Sequence, residues 1–159
     1  MHIVYIVRNL LSWSHSEARR GVTCYGRGIT VGWRSLLRWW RVNRRTERLL
    51  QDSGHSVFHL GYEELALQPE AALRKLCDWL DIAFDLSMLQ PGLNSGSHIV
   101  LGNPMLAKPF ESHAIRYDAA WLTSTALSLR VAPLLPSIAA MNRRLVYSQD
   151  LLGASWPPA

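Results

Sequence analysis

The chain has 159 residues, 48% of them hydrophobic and 18% charged, which is the make-up of one globular domain and excludes a fibre or a disordered tail. Seventeen Lys and Arg against twelve Asp and Glu give a net charge of +5. Cys24 and Cys77 have neither CxxC nor metal-ligand spacing, so a disulfide framework is excluded. A domain of this size, burying roughly 70% of its unfolded surface, needs none.

His2 to Val7 (H-I-V-Y-I-V) is a short β-branched run that predicts a buried parallel strand ending at Arg8. Leu10 to Arg20 has helical spacing and stops at Gly21, and Val22 to Gly32, with three glycines, predicts a loop. Trp33 to Asp52 predicts a long helix with Trp33, Leu36, Leu37 and Trp40 on its apolar stripe, ended by Ser53-Gly54. Ser56 to Leu60 predicts a second strand. Tyr62-Glu63-Glu64-Leu65 follows, and Pro69 then opens a helix to Leu80 that puts Leu73, Leu76, Cys77 and Leu80 on one face. Ser87 to Ser112, rich in Pro, Gly, Asn and Ser, predicts irregular chain, and residues 119–147 a closing helical region. Residues 1–150 form the expected domain and 151–159 a loose tail. Strand, helix, helix, strand, helix is the alternation of an α/β protein with a parallel sheet. Two strands make a poor sheet, so the sequence reads as part of a larger sheet or an abbreviated one.

No apolar run reaches the length of a membrane span, since Arg130, Pro133 and Pro136 interrupt the most apolar region, and Ile3 to Val7 is too short for a signal peptide and lacks a basic lead. The expected compartment is the cytoplasm. The charge is uneven: residues 1–50 hold ten arginines against Glu17 and Glu47 alone, and fifteen of the seventeen cations are arginine. The arginine fork suits phosphate or sulfate, while a solvated basic face or a coding bias would give the same count. Trp13, Trp33, Trp39 and Trp40 among these arginines also admit a nucleic-acid-binding module, and the helix from Arg34 to Arg48 an anionic membrane surface. Against the former, Trp33 and Trp40 fall on the apolar stripe and no RNP, KH or helix-turn-helix pattern occurs, so no specific nucleic acid is expected.

Ligands of open α/β sheets bind outside the carboxyl ends of the strands, where Arg8 meets a helix start. With a hydroxyl from Ser12, Ser14 or Ser16, Arg8 can converge on an anion favoured by that helix terminus. The alternative is that Arg8 caps the strand by pairing with a carboxylate such as Glu63 or Glu64. His55 and His59 are four apart, but the residues between them read as strand and no metal site is expected. Ser14-His15-Ser16-Glu17 holds the residue types of a hydrolase triad on a helix that points them apart.

Several segments stand together in a telling order. Val4-Tyr5-Ile6-Val7-Arg8-Asn9 is followed by Ser16, then by Trp40 and Asn43, then by Tyr62-Glu63-Glu64-Leu65 with Pro69. After these come Leu76-Cys77-Asp78-Trp79-Leu80-Asp81-Ile82, His98 with Gly102-Asn103-Pro104-Met105, and Trp121. This series resembles the bacterial-type sulfotransferases that use 3′-phosphoadenosine 5′-phosphosulfate (PAPS), over nearly the whole chain. The resemblance implies a P-loop-kinase-like parallel sheet with flanking helices. It implies that Arg8 and Ser16 hold the 3′-phosphate, that Tyr62 lies near the adenine, and that Gly102 and Asn103 belong to a loop closing over it. Where the family usually has an arginine after the Gly-Asn pair, the nearest cation here is Lys108, a point charge without the fork. No GxxxxGK[ST] occurs and nothing like the phosphosulfate loop precedes His2, so the expectation is a domain truncated at its N-terminus, with the 3′-phosphate half of the donor site and no assigned base. The implied reaction is metal-free sulfuryl transfer to a hydroxyl or amine of an unnamed small-molecule or glycan acceptor. The competing expectations are an inactive fragment that self-associates through an exposed sheet edge, and a basic module binding nucleic acid or an anionic surface.

Overall fold

A computed structural model describes residues 1–19, 33–90, 117–123 and 135–151. The expected loop Val22 to Gly32, the expected site residues Gly102, Asn103 and Lys108, and nearly all of the expected tail lie outside them.

The chain is an α/β protein. Strands β1 (His2–Val7) and β2 (Ser56–Gly61) pair in parallel, from His2 opposite Ser56 to Val7 opposite Gly61. Helices α1 (Leu10–Arg19) and α2 (Trp33–Asp52) connect them, and α3 (Tyr62–Leu67) and α4 (Pro69–Leu80) follow β2. Helix α5 (Pro136–Val146) packs back against α2, α3 and β2. Two expectations are corrected. Leu86–Leu89 form a short 3-10 turn where irregular chain was expected; Asp85 caps it by accepting the Ser87 N–H at 2.7 Å. Within the expected closing helical region, residues 120–123 are a turn, 124–134 lie outside the described residues, and Pro136–Val146 is helix as expected, with a proline whose missing N–H suits a first helical position.

The two faces of the sheet bury separate cores. On one, Val7 packs with Leu10, Leu36, Trp39 and, from α5, Ile138, Met141, Leu145 and Val146. On the other, Phe58 and Leu60 pack with Ala72, Leu76 and Trp79 beneath α4, while Val4 and Ile6 beside them on β1 remain exposed. Burying a side chain such as Leu36 or Leu145 contributes about 1.5–3 kcal/mol. The expected stripe of α2 meets the core, with Leu36 fully buried and Leu37 and Trp40 packed against it, Trp40 half-buried beneath the Arg44 guanidinium 5.0 Å from its ring; Trp39, not expected there, is buried as well. The same side of the helix carries polar residues that find partners. Asn43 accepts the Tyr5 hydroxyl at 2.5 Å, and Glu47 forms a bidentate pair with Arg144 at 2.5 and 2.9 Å. Among the described residues no helix is long and apolar enough to cross a membrane.

At the end of β2 only glycine fits. A Cβ on Gly61 would stand 1.6 Å from the carbonyl oxygen of Val146. That contact lets α5 end directly against the sheet, next to the ends of both strands.

Candidate functional site

The parallel register that sets Val7 opposite Gly61 makes Arg8 and Tyr62 the first residues beyond the carboxyl ends of the two strands. They meet there: the Arg8 guanidinium lies 5.0 Å above the Tyr62 ring. Its Nε donates to Ser12 Oγ at 2.7 Å and one terminal nitrogen reaches Asp118 Oδ2 at 3.2 Å. The backbone around it is held as well. The Trp39 indole N–H donates to the Arg8 carbonyl at 3.0 Å, and the Asn9 N–H donates to Glu63 Oε2 at 2.8 Å.

The start of α1 is not an open anion site. Asn9 caps it by accepting the Leu11 N–H at 2.9 Å, and Asn142 of α5 accepts the Leu10 N–H at 2.7 Å. Those first-turn amides are satisfied inside the protein, so the positive charge offered to a ligand is that of Arg8.

Glu63 and Glu64 diverge, as neighbours on a helix must. Glu63 is 2% exposed, and its Oε1 has no hydrogen-bond partner among the described residues. Burial pushes its carboxyl up, against the pull of the Asn9 N–H, Arg8 and the Ser12 hydroxyl. Glu64 accepts the N–H groups of Gln149 and Leu151 at 3.2 and 3.3 Å, and burial raises it too. The expected alternative, Arg8 paired with a carboxylate, is met in kind, with Asp118 as the partner in place of Glu63 or Glu64. Two phenols border the site. Tyr117 accepts the Trp121 indole N–H at 2.9 Å and Tyr147 receives the Asn9 side-chain amide at 3.5 Å, and burial raises both.

Of the expected site residues, Arg8 and Tyr62 come together. Ser16 stands one turn beyond Ser12 on α1, and the hydroxyl on the guanidinium is that of Ser12. Ser14 joins α1 to α2 through Ser35 at 2.6 Å. Asn43 links Tyr5 to the Trp39 carbonyl and serves the packing of α2. Sequence reasoning missed Asp118 and Tyr117 because nothing local marks them; a pairing of Arg8 across 110 positions has no periodic signal. His55 and His59 line a separate cavity of about 260 Å³ beside Glu47 and Arg144, and burial pushes the His59 imidazole down.

The arrangement is one guanidinium, fixed from within by a hydroxyl and an aromatic face, with its outer edge on an anion. It can bind an anionic group in a set direction. No family model, no curated protein and no solved structure matches the chain.

Proposed function

We propose that the chain is a sulfotransferase-like domain of P-loop-kinase-like descent whose described residues carry the 3′-phosphate half of a PAPS site. The observation that carries this reading is the Arg8 guanidinium over Tyr62 at the ends of two parallel strands, the pair that the resemblance assigns to phosphate and adenine. The Asp118 carboxylate, 3.2 Å from Arg8, is the kind of partner the alternative reading expects, so a phosphate using that edge would have to displace it. PAPS supplies an activated sulfuryl group for transfer to an acceptor hydroxyl or amine. The chain's own contribution is to bind and orient: Arg8 takes the 3′-phosphate, Ser12 keeps its Nε turned inward, and Tyr62 supports the plane of the guanidinium. Ser16, Gly102, Asn103 and Lys108 complete the proposed nucleotide contacts. Each charge-assisted hydrogen bond is worth about 1.5–3 kcal/mol.

Calorimetry at two salt concentrations tests this with 3′-phosphoadenosine 5′-phosphate, adenosine 5′-monophosphate and Arg8→Ala. The expected result is binding that needs both the 3′-phosphate and Arg8. Equal binding of the two nucleotides, or none by folded protein, overturns the reading. A second reading, a basic module for nucleic acid or an anionic surface, is favoured by Arg41, Arg44, Arg45 and Arg48, all exposed on α2. It predicts polyanion binding that weakens steeply with salt and ignores a 3′-phosphate.

A further inference from the structure

Two of the arginine–carboxylate pairs among the described residues differ in build. Arg144 and Glu47 form a bidentate pair at 2.5 and 2.9 Å, with the Glu47 side chain only 10% exposed, so the carboxylate has no better place to go. Arg8 and Asp118 meet through one nitrogen and one oxygen at 3.2 Å, longer than the usual charge-assisted bond, and their side chains are 22% and 39% exposed. The other Asp118 oxygen accepts the Ala120 N–H at 3.1 Å, which ties the carboxylate to its own turn and leaves it anchored whether or not it touches Arg8. Arg8 does not depend on Asp118 for its position either, since Ser12, Tyr62 and the Trp39 indole hold its Nε, its face and its carbonyl.

We propose that Asp118 is a tethered competitor for the phosphate seat on Arg8, lowering the affinity of the site for any ligand that must engage that guanidinium. The inference rests on the nucleotide reading above and concerns the regulation of the same site. A ligand using Arg8 binds only the fraction of molecules in which Asp118 has released it, and its apparent affinity falls by that fraction. A half-solvated pair of this kind holds its arginine weakly, which corresponds to about a 2- to 5-fold effect on the dissociation constant. A nucleotide lacking the 3′-phosphate is not affected. Asp118 therefore reduces discrimination in favour of the 3′-phosphate without touching the rest of the ligand.

Asp118→Asn removes the charge and keeps an oxygen for the Ala120 N–H, and Asp118→Ala serves as a second variant; circular dichroism and thermal unfolding check that each is folded. Titrations of 3′-phosphoadenosine 5′-phosphate and adenosine 5′-monophosphate are expected to tighten about 2- to 5-fold for the first and stay unchanged for the second. In an Arg8→Ala background, Asp118→Asn is expected to change neither. If the wild type distinguishes the nucleotides through Arg8 and Asp118→Asn leaves the first unchanged, weakens it, or tightens both equally, the competitor is refuted and the nucleotide site stands. If neither the wild type nor the Asp118 variants distinguish the nucleotides, the site itself is refuted, and this inference with it.

Discussion

Replacing Gly61 with alanine tests the close fit between β2 and α5. The added Cβ would stand 1.6 Å from the Val146 carbonyl oxygen, where ordinary contact begins at 3.4 Å, so the end of α5 must retreat by about 1.8 Å. No flexible side chain can absorb that, because the obstructing atoms are backbone. The retreat pulls on Leu145 and Val146, both fully buried, and on the Gln149 and Leu151 N–H groups that Glu64 accepts at 3.2 and 3.3 Å. Loss of core packing together with these hydrogen bonds is expected to cost about 3 kcal/mol or more, a large part of the stability of a domain this size. Gly54→Ala is the control. Gly54 takes a left-handed φ of 64° but has open space around its missing Cβ, so alanine there pays only the backbone cost of about 1–2 kcal/mol. Urea unfolding followed by tryptophan fluorescence measures both. A Gly61→Ala protein within about 1 kcal/mol of wild type, or no less stable than Gly54→Ala, refutes the packing argument.

Burial holds the Glu63 carboxyl above 4.5, so its protonated form is favoured by folding; its contribution is full below pH 4.5 and is lost as pH rises through the folded value. Stability of the wild type relative to Glu63→Gln is therefore expected to fall with rising pH across that window, and a flat or rising difference in urea midpoints counts against it. A double-mutant cycle of Glu47→Gln and Arg144→Met is expected to give a coupling of about 1 kcal/mol, because Arg144 is 61% exposed, and zero coupling would show that the bidentate contact is not maintained in solution. Tyr5→Phe leaves Asn43 Oδ1 without the hydroxyl it accepts and should cost about 1–2 kcal/mol. In the wild type, burial pushes the Tyr5 phenol up to about 12, so ultraviolet titration should find late-ionising absorbance, and a smaller late amplitude in Tyr5→Phe assigns that share to Tyr5.

What could be read from the chain was whatever is encoded within a few residues. β1, β2, α2 and α4 follow from short-range periods and stop signals, and Arg8 was legible as a candidate because it ends a strand, whereas Tyr62 entered only through the resemblance. The apolar stripe of α2 was legible in Leu36, Leu37 and Trp40, but apolar counting does not see that Asn43 and Glu47 on the same helix pair with Tyr5 and Arg144. The same limit hid Asn142 and Tyr147, whose contacts with Leu10 and Asn9 span 132 and 138 positions. Glu63 and Glu64 were legible as a divergent pair, but their partners were not, since a backbone N–H carries no mark in the sequence of which carboxylate it will meet.

Those backbone contacts hold the strand ends in place although the sheet has only two strands among the described residues. A short parallel pair packed by side chains alone would leave its ends loose. Here Glu63 holds the residue after Arg8, Trp39 holds the Arg8 carbonyl, Asn142 holds the start of α1, and Glu64 holds the chain beyond α5. Each is a buried or half-buried polar contact with a direction, so together they fix orientation in a way that non-directional apolar burial does not. Arg8 is thereby held in a fixed orientation, which is the pre-organisation that the proposed nucleotide site would use. The Arg8–Asp118 contact differs from these in being made by partly exposed side chains, 22% and 39%, through a single nitrogen and oxygen at 3.2 Å, which is the geometry that the proposed competition rests on.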